Sequence, residues 1–98
     1  MDSMNSIDLG RLQKYLDLTQ RAREKATPIS RLTEKREKEL EMLLKMVDDY
    51  ASDANHFRDK GDLIRAFGAI NYAHAWIDAA VRLGLLNAHG DDELFTLP

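Results

Sequence analysis

The segment from Leu63 to Leu83 constrains this chain most, because it is apolar around most of a helical circumference. Ile64, Ala66, Phe67, Ala69, Ile70, Ala73, Trp76, Ile77, Ala80 and Val81 form a very wide arc, which Tyr72 and Leu83 extend. Asn71, His74, Asp78 and Arg82 make the one clear polar stripe, at steps of three and four. A surface helix normally buries a single stripe of about 100°. A helix this apolar has to be covered on two sides, and its alanines let the covering elements approach closely.

The preceding sequence supplies two such elements. The first helix is expected over about 7–26, with Ser6 as N-cap and Asp8 in its first turn. Leu9, Leu12, Leu16, Thr19, Ala22 and Ala26 follow one buried stripe. Thr27-Pro28 stops it, since the residue before proline is pushed out of the helical region. Ser30 then caps a long second helix over about 31–60, with a seam of Leu40, Leu43, Val47, Tyr50, Ala54 and Phe57. Lys60-Gly61-Asp62 reads as a tight joint, glycine closing one helix and aspartate opening the next. The third helix then covers about 63–83 and ends at Gly84.

The expected fold is therefore all-α: a three-helix antiparallel up-down-up bundle with a long central helix and a short C-terminal tail. Residues 1–86 form one domain and residues 87–98 an acidic, apolar tail. Counting back from the two joints lays helix 1 along residues 31–48 of helix 2, and helix 3 along residues 40–60. Two helix ends are then left as a thinly covered overhang.

The charge is divided along the chain. The net charge is −3, yet residues 11–38 hold nine Lys or Arg against four acids, and residues 39–98 hold five against eleven. The overhang becomes a basic pole of Arg21, Arg23, Lys25, Arg31, Lys35, Arg36 and Lys38, opposite Asp49, Asp53, Asp59 and Asp62. Such a pole suits an acidic partner or RNA, but an acidic overall balance argues against broad phosphate binding. Tyr15 is the only aromatic residue in the first half, so base stacking is not expected. The tail starts beside this pole and joins Asp91, Asp92 and Glu93 to Leu94, Phe95 and Leu97. It is expected either to clip onto the overhang, in its own chain or in a second copy, or to fray as chain ends do.

Several chemistries are excluded or weakly supported. Without cysteine there is no disulfide, thiolate nucleophile or thiolate-bound metal. No apolar run reaches the roughly 20 residues of a membrane span. The N-terminus lacks the basic start and apolar stretch of a signal peptide. His74 and Asp78, one turn apart, are a candidate acid–base pair or, with Asn71, a small-molecule cleft. The plainer reading is an ordinary i,i+4 contact. Asp53 and His56 echo the carboxylate-x-x-His spacing of bundle metal sites, but with Asp49 they fall opposite the apolar seam. No metal and no cofactor is expected. Arg82 and His89, with six residues between them, formally fit the Arg-x(4–6)-His pattern of helical nucleases. Gly84 breaks the helix between them, and so loose a spacing arises often by chance.

The run from Asp53 to Ala79, followed by Arg82-Leu-Gly-Leu, resembles an archaeal family of short all-helical proteins catalogued as a domain of unknown function. The features that carry it are the K-G-D joint at Lys60-Gly61-Asp62 and the Y-A-H-x-W-x-D-A run from Tyr72 to Ala79. The resemblance implies an archaeal cytoplasmic protein on a small helical bundle, and implies no activity. The balance of these readings is against an enzyme and for a protein–protein interaction module, working on a protein partner or as a homodimer. An RNA-associated protein or metal-independent ribonuclease is the second expectation, and a small-molecule binder the third.

Overall fold

The computed structural model describes residues 8–98. Three helices, α1 (Leu9–Lys25), α2 (Glu34–Asp59) and α3 (Leu63–Arg82), pack as a bundle. Two two-residue strands, β1 (Thr27–Pro28) and β2 (Leu86–Asn87), pair antiparallel, with Thr27 opposite Asn87 and Pro28 opposite Leu86. Ser6 and Ile7, the expected cap and start of the first helix, lie outside the described residues.

Each described helix start has a side-chain cap. Asp8 opens α1, its Oδ1 accepting from the Arg11 N–H at 2.7 Å. Asp62 opens α3 in the same way, accepting from the Arg65 N–H at 3.2 Å. Thr33, rather than Ser30, opens α2, accepting from the Arg36 N–H at 3.2 Å. The reason for the later start is backbone geometry: Arg31 sits at φ 64, which no α-helix admits. The segment around Pro28 is also engaged elsewhere, since β1 pairs with β2 and the Ile29 N–H donates to the Leu85 carbonyl at 3.0 Å.

Helices α2 and α3 end by the same device. After α2, Gly61 at φ 80 donates to the Arg58 carbonyl and Asp62 to that of Phe57. After α3, Gly84 at φ 75 donates to Val81 and Leu85 to Ala80. This pair of bonds satisfies carbonyls that a helix end leaves open, and the left-handed residue it needs is most cheaply glycine.

Helix α3 is the element against which the others pack. Its inward face alternates small and large residues: Ala66, Ile70, Ala73, Ile77, Ala80 and Val81 are all buried. Against it lie Leu12, Leu16, Thr19 and Ala22 of α1, and Leu40, Val47 and Ala54 of α2. Counting back from Pro28 had placed helix 1 along helix 2. In the structure α1 packs chiefly on α3 instead, with the Tyr15 and Phe67 rings edge to face at 5.0 Å. The β1–β2 pairing accounts for this, because it ties the end of α1 to the chain leaving α3. Leu85, Leu86, Ala88, Leu94 and Phe95 complete the core from the C-terminal segment.

Ile77 is fully buried at the centre of this packing. Its truncation, Ile77→Ala, should cost about 2–5 kcal/mol. Met42→Ala, at a side chain 71% exposed, should stay within about 0.5 kcal/mol. Urea unfolding followed by circular dichroism measures both.

Candidate functional site

The polar stripe of α3 faces the C-terminal segment, and three of its four members are bonded to it. His74 lies between α1 and the tail: its Nδ1 is 2.9 Å from the Thr19 hydroxyl and its Nε2 2.7 Å from the Leu94 carbonyl oxygen. A carbonyl only accepts, so Nε2 carries the hydrogen, and in the neutral ring Nδ1 accepts from Thr19. One turn on, Asp78 Oδ1 accepts from the Thr96 N–H at 2.9 Å. Arg82 donates to the Leu97 carbonyl at 3.3 Å. Steps of four along α3 thus meet tail positions 94, 96 and 97, and the stripe works as a track for a turn-rich, non-helical strap.

Asp91 anchors the start of that strap. Its Oδ1 accepts from the N–H groups of Glu93 and Leu94, both at 3.0 Å, and its Oδ2 meets Lys25 Nζ at 2.8 Å. The Lys25 hydrogen bond, seconded by the Leu94 N–H and opposed by partial burial, holds the Asp91 carboxyl below its ordinary value of 3.8. Spacing alone could not reveal these contacts, since most partners of the stripe are backbone groups of the tail.

The other candidate residues are likewise distributed. His89, at φ 56, has Nε2 2.9 Å from the Thr27 hydroxyl, while Arg82 is engaged with Leu97; the two therefore serve different partners. Asn71 is exposed and, with Tyr15, His74, Asp78 and Glu93, borders a shallow depression of about 290 Å³. Asp49, Asp53 and His56 are exposed on α2. Among the described residues no group of three or more His, Cys, Asp or Glu side chains is placed to hold a metal ion.

Much of the basic pole is spent on internal pairing. Arg23 grips Asp48 through two nitrogens at 3.0 and 3.3 Å, across a cleft of about 330 Å³ between α1 and α2. Lys25 holds Asp91, Arg36 donates to the Leu83 carbonyl, and Arg21 and Lys38 reach Asp17 and Glu34 at 3.8 Å. Arg31 and Lys35 have no ion pair among the described residues.

The outer face of the α2–α3 pair, away from α1, has a different character. Met42, Tyr72 and Leu83 are 71%, 55% and 59% exposed. A groove of about 270 Å³ runs between Met42, Leu43, Leu83 and Leu85, edged by Arg36 and Glu39. Further along, the Tyr50 and Tyr72 rings meet at 4.7 Å. Trp76 stands one turn beyond Tyr72, half-buried, and its indole N–H is itself buried and finds no acceptor among the described residues.

A family model described as a protein of unknown function, DUF357, matches residues 14–86. The chain belongs to this family. The matched residues of DUF357 take in all of α2 and α3 and most of α1, and stop before the strap. No match was found among curated proteins or among solved structures. No helix of the described residues is long and apolar enough to cross a membrane.

The strap generates two expectations. His74→Ala leaves the buried Thr19 hydroxyl and the Leu94 carbonyl without their partner, which should cost about 1–3 kcal/mol and speed amide exchange over residues 93–96. The Asp91 carboxyl is more acidic in the folded chain than in the unfolded one. Its contribution is therefore complete above the ordinary aspartate value and disappears as pH falls through the lower folded value. Hydrogen exchange at the Glu93 and Leu94 amides should accelerate in that acid window relative to the core, and Asp91→Asn should remove most of the extra acid sensitivity.

Proposed function

We propose that this DUF357 protein is a non-enzymatic protein–protein interaction module, acting on a protein partner or on itself, in the archaeal cytoplasm that its sequence resemblance implies. The arrangement behind it is an up-down-up bundle. Tyr15 beside Phe67 and Thr19 beside His74 support α1 and α3 running in the same direction, and Tyr50 beside Tyr72 with Arg36 on Leu83 supports α2 running against α3.

The observation that carries the reading is where the exposed apolar surface gathers. Single exposed hydrophobic residues are ordinary, but a contiguous apolar patch marks a contact surface. Met42, Tyr72 and Leu83, with half-buried Leu43 and Trp76, lie along one face of the α2–α3 pair, whereas Leu9, Ile29 and Ile64 are exposed singly at the ends of α1, β1 and α3. The polar residues that would serve catalysis support the same reading from the other direction. His74 has both ring nitrogens engaged, and Asp78, Arg82 and His89 each hold a neighbouring segment.

Affinity capture of the tagged protein from its native extract, with and without nuclease, tests the reading. A stoichiometric protein should remain after nuclease and be lost from Met42→Glu and Leu83→Glu. Recovery of RNA, with every co-purifying protein lost on nuclease treatment, would overturn it. That result would turn attention to Arg31 and Lys35, whose side chains have no hydrogen-bond or ion-pair partner among the described residues, and salt should then weaken binding steeply.

A further inference from the structure

We propose that the occupant of the outer α2–α3 face is a second copy of this chain, docked antiparallel about a two-fold axis that passes midway between Met42 and Met46. The inference rests on the interaction reading above and names its partner. Two observations lead to it: the pattern of charge along α2 and the extent of the face.

The face is self-complementary in charge. Lys35 stands seven residues before Met42, and Asp53 seven residues after Met46. Seven residues are close to two helical turns, so all four side chains lie along one side of α2. Both Lys35 and Asp53 are exposed and have no ion pair among the described residues. The two-fold axis sets Lys35 of each copy beside Asp53 of the other, and Met42 against Met46. A closed dimer needs this isologous pattern, in which each contact is made twice. The same register brings Glu39 near Asp49, but Asp49 is already countered by Lys45 at 2.7 Å.

The area is adequate. Twenty residues of α3 rise about 30 Å, and two helices packed about 9 Å apart present a face about 20 Å wide. One face thus projects about 600 Å², and two together bury about 1,200 Å², where stable interfaces begin. Its content also fits, with methionine and aromatic side chains at the centre and charge at the rim. Trp76, the only tryptophan, lies half-buried along this face and reports on its environment.

Sedimentation equilibrium of the full chain, from low micromolar to sub-millimolar concentration, is the test. The mass should rise from 11.2 kDa to twice that value, and Trp76 emission should shift to the blue over the same range. Met42→Glu and Leu83→Glu should remain monomeric, with the helical content and melting temperature of the wild type at concentrations where it too is monomeric. Lys35→Glu and Asp53→Lys should each associate about fivefold to tenfold more weakly, since two symmetry-related pairs turn from attractive to repulsive. An equimolar mixture of those two variants should recover wild-type affinity, because both cross-pairs are again of opposite sign.

A monomer at every concentration overturns the proposal. So does a dimer that survives Met42→Glu and Leu83→Glu, and so does one indifferent to the charge reversals. A monomer that still captures another protein through Met42 and Leu83 retires the second copy and leaves the interaction reading standing. A chain that captures nothing and does not self-associate ends both.

Discussion

The need to cover α3 governs the rest of this molecule. Its buried face alternates Ala66, Ala73 and Ala80 with Ile70 and Ile77, which lets neighbouring helices come close while still filling the space between them. Two helices cannot cover so wide an arc. Helix α1 takes one side and α2 another, and the end is closed by Leu85, Leu86, Ala88, Leu94 and Phe95. What this chain leaves open is the rim beside α2, where Tyr72, Trp76 and Leu83 lie. The exposed apolar surface is the remainder of the same packing problem that builds the core.

Covering α3 with a turn-rich strap, rather than with a helix, changes what its polar stripe does. Its turns pair some backbone groups internally, and those left over are costly to bury without partners. Asp78 supplies an acceptor to the Thr96 N–H, and His74 and Arg82 supply donors to the Leu94 and Leu97 carbonyls. The Lys25–Asp91 pair at 2.8 Å sits nearer the surface and adds modestly. The apolar side chains of Leu94 and Phe95 provide the driving force, and the stripe removes the penalty that would oppose it.

The parts of this fold legible in sequence are those fixed by short-range chemistry. Gly61 and Asp62 announce both the end of α2 and the start of α3, because a left-handed closing residue and an N-cap acceptor have few alternatives. The wide apolar arc of α3 was equally plain. The start of α2 was not, because Arg31 adopts a left-handed conformation with no glycine or asparagine to signal it. Nor was the β1–β2 pairing, since Thr27-Pro28 reads only as a helix stop and its partner lies almost 60 residues away. That missed pairing is why counting residues from Pro28 placed the first helix on the wrong neighbour. At the candidate site, spacing revealed His74 and Asp78 as one stripe, but their principal partners are backbone groups of the tail, which side-chain patterns do not encode.

The hydrogen bonding of His74 makes it a part of the strap's attachment. A general base needs a ring lone pair directed at substrate. Here the Nε2 hydrogen points to the Leu94 carbonyl, and the Nδ1 lone pair is occupied by the Thr19 hydroxyl. At the start of the strap, protonating Asp91 removes the charge that Lys25 pairs with. Asp91 is thus an acid-sensitive anchor of the strap, while His74 at its centre acts as a joint between α1, α3 and the C-terminal segment.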